Sequence, residues 1–193
     1  MKAIIFTLLT IATINIHAAN IGKKAVRIKT MSASIEWVSI NNLDAKLKKE
    51  PRKVFIDCYT NWCGWCKKMD KSTFEHPDII KYVSKRFYGV KFNAEQMEDV
   101  YIGGQTFKHI GGEGRKGYHE FAHTIMNGRM SYPTTVYFDE NLNNLGPVPG
   151  YLKPSVFEMI LKFYGENHYK ETQWNTFQST YKSRIDDNWT ETK

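Results

Sequence analysis

Phe55-Ile56-Asp57-Cys58-Tyr59-Thr60-Asn61-Trp62-Cys63-Gly64-Trp65-Cys66-Lys67 is the stretch that decides how this 193-residue chain is read. Residues 54–59 are a short apolar run and predict a buried strand. Thr60 and Asn61 make a turn, and Cys63-Gly64-Trp65-Cys66 should open a helix that runs to about Lys71. A C-x-x-C at that junction has a mechanism. The first cysteine sits at the helix start, where free N–H groups and the helix dipole favour its thiolate. The second lies one turn on, within reach of a mixed disulfide formed by the first. Gly64 leaves room for a substrate to approach, and Trp65 adds an apolar face. Two other readings are a metal half-site and a structural bridge. A structural zinc takes four ligands, and the chain has only three cysteines. A bridge across a two-residue gap restrains little chain entropy.

Further elements follow on both sides. Residues 35–40 predict a first strand and 43–49 a short amphipathic helix closed by Pro51. Pro77 suits the first turn of a helix over 76–86, and 88–92 predict a second buried strand. A glycine-rich stretch from Gly103 to Gly117 reads as loop or hairpin, and 118–126 as helix. Residues 134–138 are β-branched and aromatic and predict a strand. Residues 145–148 suit only a sheet edge, because Pro147 cannot donate to a ladder. An amphipathic helix over 156–164 and a helical tail bearing Trp174, Phe177 and Tyr181 complete the chain. This order implies an α/β fold with a sheet covered on both sides.

Lys2, an apolar run from Ala3 to Ile16 and the small residues Ala18 and Ala19 have the layout of a cleavable signal peptide over 1–19. Export to the periplasm or beyond is the expectation. The net charge is +7, but the cations are spread along the chain, which argues for a solvated basic surface and against nucleic-acid binding. Cys58, Cys63 and Cys66 lie within nine residues. That clustering favours chemistry over stapling, with Cys58 a buried, inert thiol or else a second resolving thiol.

The stretch around the cysteines resembles the thioredoxin active site, and the match extends beyond the C-x-x-C. Trp62 precedes the first cysteine, and Asp57 lies six residues before it, where thioredoxins hold a buried carboxylate that assists proton transfer to the second cysteine. Lys91, in Val90-Lys91-Phe92-Asn93, resembles the strand lysine beside that carboxylate. Ser131-Tyr132-Pro133-Thr134 resembles the loop whose proline is cis and faces the cysteines, and Gly150 the glycine ahead of the final helix. Thr73-Phe74-Glu75-His76-Pro77 resembles exported thioredoxin-like proteins of bacterial envelopes.

The resemblance implies a central mixed sheet flanked by helices over 35–165, with an insertion at about 97–127 before the cis-Pro loop. Residues 20–34 would be a leader and 166–193 a helical extension. It implies Cys63 as nucleophile, Cys66 as resolving cysteine, and Asp57 and Lys91 as their support. Trp62, Gly64, Trp65, Tyr132 and Pro133 would meet the substrate. No cofactor or metal is implied. The partners would be thiols or disulfides of exported proteins, with a membrane thiol-redox carrier as electron donor. Trp65 stands where proline is usual. It brings no cationic charge to the thiolate, and Asp57 repels one, so the expected potential is nearer thioredoxin, about −270 mV, than the strong oxidants at about −120 mV.

Two other functions fit parts of the sequence. A peptide-binding or chaperone module would use the groove beside Trp62, Trp65 and Pro133. A zinc hydrolase would use His119-Glu120-Phe121-Ala122-His123, an H-E-x-x-H on a predicted helix. That motif needs a third ligand, and Met126 stands where the longer pattern has glycine. The glycines from Gly111 to Gly117 lack phosphate-loop spacing, and Asn188-Trp189-Thr190 matches a glycosylation sequon.

Overall fold

A computed structural model describes residues 34–111 and 117–189. The expected signal peptide over 1–19, nearly all of the 20–34 leader and the last residue of the sequon, Thr190, lie outside the described residues.

A 3-10 turn (Ile40–Asn42) leads into α1 (Leu43–Lys49) and then β1 (Lys53–Tyr59). Next come α2 (Gly64–Met69), a π-helical turn (Asp70–Phe74), α3 (Pro77–Arg86) and β2 (Phe87–Asn93). Two small hairpins follow, β3 (Val100–Ile102) with β4 (Gln105–Phe107), and β5 (His109–Ile110) with β6 (Tyr118–His119). Then α4 (Glu120–Ile125), β7 (Thr134–Phe138), β8 (Asn144–Pro149), α5 (Pro154–Gly165), a 3-10 turn (His168–Lys170) and α6 (Trp174–Thr180).

The main sheet runs β2-β1-β7-β8. β1 is parallel to β2 and antiparallel to β7, and β7 is antiparallel to β8, so the sheet is mixed. Pro147 and Pro149 sit in the edge strand β8, where a missing N–H costs no ladder bond. Side chains alternate along β1. Val54, Ile56 and Cys58 face a core with Leu43, Leu47, Phe92, Phe121 and Val136. Phe55 faces the opposite core with Met69, Phe74, Ile79, Phe157 and Leu161. Asp57, two residues on from Phe55, belongs to this second face.

Residues 35–40 do not form the expected strand. Trp37 makes one parallel bridge to Gly89, and the Val38 N–H donates to the Gly89 carbonyl at 2.8 Å. The chain then bends into the turn at Ile40, where the Asn41 side chain is committed to Tyr101 N–H (2.8 Å) and the Asp99 carbonyl (3.3 Å). Gly89 permits this approach, since a Cβ there would stand 3.0 Å from the Phe55 ring and 3.2 Å from Ile35.

The helix expected over 118–126 is also shorter. Tyr118 and His119 pair with β5, and α4 begins at Glu120. His119 caps that helix. Its Nδ1 accepts the Phe121 N–H at 3.1 Å, and its Nε2 lies 3.1 Å from the Glu98 carbonyl. The H-E-x-x-H therefore does not share one helix face. One histidine is buried with both ring nitrogens engaged, and the other, His123, is exposed and lies against Tyr118. The segment between β2 and β7 packs onto the main core through Val100, Ile102, Phe121 and Ile125. At the far end, α6 is held by Phe177 against Phe163 (centroids 5.2 Å apart).

Phe55 organises the second core. It is fully buried, and the rings of Trp37, Phe74, Phe87 and Phe157 surround it at 5.4–6.2 Å. Phe55→Ala should cost about 3–5 kcal/mol in urea unfolding, with Phe55→Leu milder. A Phe55→Ala variant of unchanged midpoint would contradict this packing.

Candidate active site

β1 ends at Tyr59, and a turn closed by the Cys63 N–H to the Thr60 carbonyl (3.1 Å) brings the chain to α2. Cys63 is the N-cap residue of that helix, and its Sγ accepts the Cys66 N–H at 3.0 Å. Cys63 and Cys66 are joined as a disulfide, with Cα atoms 5.3 Å apart. Both are buried, while Gly64 between them is exposed with open space where a Cβ would stand. Cys66 and Met69 of α2 and Asp70 at the start of the π-helical turn recur at i, i+3 and i+4, so they share one face. Cys58 is a free thiol buried in the opposite core, and burial pushes its pKa well up.

Asp57 is 1% exposed. The β1–β2 register sets it opposite Lys91, whose Nζ stands 3.6 Å from Asp57 Oδ2. Asp57 Oδ1 and the nearby Thr60 Oγ1 are buried and have no hydrogen-bond partner among the described residues. Lys91 lies closer to a second carboxylate, Asp70, with which it makes a short ion pair. The rings of Trp37, Tyr59 and Phe74 face the same ammonium at 5.0–5.7 Å. Desolvation raises the Asp57 pKa to about 7, Lys91 opposes this, and Asp70 adds to it.

Trp62, directly before the pair, and Trp65, within it, are 62% and 57% exposed. Trp62 donates its indole N–H to Glu95 at 2.9 Å and meets Tyr132 edge-on at 5.9 Å. Trp65 lies 5.4 Å from the Tyr151 ring. The Tyr132–Pro133 bond is cis, and the Pro133 carbonyl accepts the Gly150 N–H at 2.8 Å. No group of three or more His, Cys, Asp or Glu side chains among the described residues could hold a metal ion.

The structure thus brings Asp57 and Lys91 together beneath the layer of α2, and Trp62 and Tyr132 together at its rim. Four further residues went unrecognised in the sequence: Asp70, Glu95, Tyr151 and Thr60. Asp70 carries a readable signal, four residues after Cys66 and so on the same helix face. Glu95 and Tyr151 reach the site from distant loops and give no such signal.

A family model described as a thioredoxin-like domain matches residues 41–165. The thiol:disulfide interchange protein DsbD of Pectobacterium atrosepticum is 36% identical over 47 residues, which is 24% of this chain and 8% of that protein. Spermatogenesis-associated protein 20 of Homo sapiens is 31% identical over 55 residues, 28% of this chain and 7% of that protein. The chain therefore spans less than a tenth of the length of these two relatives. A thioredoxin-fold protein from Helicobacter pylori superposes with a TM-score of 0.51 at 17% identity, covering 77% of this chain and 85% of that one. This likeness confirms the fold. With most of its length matched by the family model, the chain belongs to the thioredoxin-like domain family.

Proposed function

We propose that the protein is a thiol-disulfide oxidoreductase that reduces disulfides of exported proteins through Cys63 and Cys66. The observation that carries this reading is a cysteine pair at a helix start, over a sheet face that buries an acid whose pKa is close to neutral. In the reduced protein, the Cys63 thiolate attacks a substrate disulfide. One substrate sulfur leaves as thiolate, and a mixed disulfide forms through Cys63. Cys66 then gives its proton to the Asp57 carboxylate and attacks Cys63 Sγ. The second substrate sulfur leaves, and the Cys63–Cys66 disulfide forms. Two electrons have passed to the substrate. A membrane thiol-redox carrier returns the pair to the dithiol. The envelope location rests on the expected signal peptide, and the partial likeness to DsbD is in keeping with it.

The Cys63 N-cap position gives its sulfur the Cys66 N–H, so Cys63 is the attacking thiol and the buried Cys66 the resolving one. Cys66→Ser should accumulate mixed disulfides through Cys63 when the reduced protein meets disulfide-bonded insulin, and Cys63→Ser should accumulate none. Equal trapping by both variants would refute the assignment. Wild-type protein that leaves insulin disulfides intact would favour a peptide-binding module.

Asp57 sets a pH dependence. Below about pH 7 it is protonated and cannot take the Cys66 proton, so the resolving step slows as pH falls through that value. Asp57→Asn should slow resolution on the order of 10²-fold. Stability moves the other way. The folded pKa is about 7 against 3.8 for the free side chain, so between those values the unfolded chain has lost a proton that the fold retains. Stability therefore falls as pH rises through this window, and the full penalty is present above it. Asp57→Asn should stabilise the protein at pH 8 by up to about 4 kcal/mol and change little below pH 4. Unfolding by denaturant at both pH values tests this, and destabilisation at pH 8 would contradict it.

A further inference from the structure

Two exposed indoles belong to the cysteine segment, one before the pair and one within it, and each is held by a tyrosine and by a charge. The charges have opposite signs. Trp62 meets Tyr132 and donates its ring N–H to both Glu95 oxygens, at 2.9 and 3.1 Å. Trp65 meets Tyr151, and Lys68 Nζ sits 4.8 Å from the Trp65 ring centre and 5.2 Å from that of Tyr151. An indole offers an N–H at its edge and a negative potential on its face. A carboxylate and an ammonium therefore fix it through different atoms.

The support is built. Tyr132 and Tyr151 adjoin the two residues, Pro133 and Gly150, whose backbones are hydrogen-bonded to each other. The Tyr151 hydroxyl lies 2.9 Å from Ser72 Oγ on the π-helical turn. Neither contact cancels a charge, because both rings are neutral. Lys67 and Lys71, next in the chain, are exposed, and the acid between them, Asp70, is paired with Lys91. A carboxylate thus accompanies the tryptophan before the cysteine pair, and an ammonium accompanies the tryptophan within it.

We propose that this rim reads the orientation of its partner: it docks an extended segment of a disulfide-bearing protein with a basic side chain toward Trp62 and Glu95 and an acidic one toward Trp65 and Lys68. The proposal rests on the reading of Cys63 and Cys66 as the exchange pair. A segment bound this way covers both indoles and sets its charges against opposite ones. The reversed segment sets like charges against each other at both ends. Trp65 is central to this, since the proline usual at its position has no ring face to hold Lys68.

The test uses two disulfide-linked peptides of identical composition. One carries Glu three residues before the target cysteine and Lys three residues after it, and the other has the two exchanged. At low salt the wild-type protein should reduce one with kcat/KM about fivefold above the other. The preference should vanish near 1 M salt, where charges are screened beyond about 3 Å. It should invert in the double variant Glu95→Lys/Lys68→Glu. The ratio is taken within each protein, so any change in cysteine reactivity cancels. Equal rates for the two peptides with wild-type protein at low salt overturn the proposal, as does a preference that survives the double variant. A wild-type protein that reduces neither peptide nor glutathione disulfide overturns the exchange reading itself, and this proposal with it.

Discussion

The burial of Asp57 is the constraint on which the site depends. A carboxylate 1% exposed in an apolar layer must be paired or protonated, because removing its charge from water is costly. Here it has half a partner. Lys91 reaches one of its oxygens at 3.6 Å while held more closely by Asp70, and the other oxygen accepts nothing from the described residues. The result is an acid whose pKa is raised to about 7. The β1–β2 register sets Lys91 opposite Asp57, and the π-helical turn that continues α2 brings Asp70 to Lys91. A one-residue slip in β1 would move Asp57 to the opposite core and put Cys58 in its place.

Much of this was legible in the sequence because it is local. The strand before the cysteines, the helix after them, the proline-marked edge strand and the helix at Pro77 each follow from short-range rules. The cis bond before Pro133 and the pairing of Asp57 with Lys91 followed from the resemblance, not from periodicity. The missed features share one cause. Residues 35–40 alternate like a strand but lose their ladder to the demands of Asn41, a contact 60 residues away. His119 and His123 fit a helical spacing, yet His119 is drawn out of the helix by its bonds to Phe121 and Glu98. Glu95 reaches Trp62 through the pairing of β2 with β1, a contact across 33 residues.

The segment between β2 and β7 joins these two levels. It packs into the core beneath Cys58, and at its start it carries Glu95 to the rim beside the cysteines. A scaffold that holds a common redox pair is thereby given a rim of its own, with opposite charges fixed on its two indoles. In the proposed mechanism the buried acid takes the proton of the resolving cysteine, and in the proposed docking mode the exposed charges meet the partner.

These features are in keeping with the reducing role proposed for the pair. A thiolate at Cys63 gains the Cys66 N–H but no cation from Trp65, and it shares its surroundings with Asp57, so the disulfide is favoured over the dithiol. Equilibration of the purified protein against glutathione redox buffers, read as the fraction of Cys63–Cys66 disulfide, measures this directly. The account predicts a single two-electron transition near about −270 mV. A potential above about −180 mV would contradict it and make the protein an oxidant or isomerase.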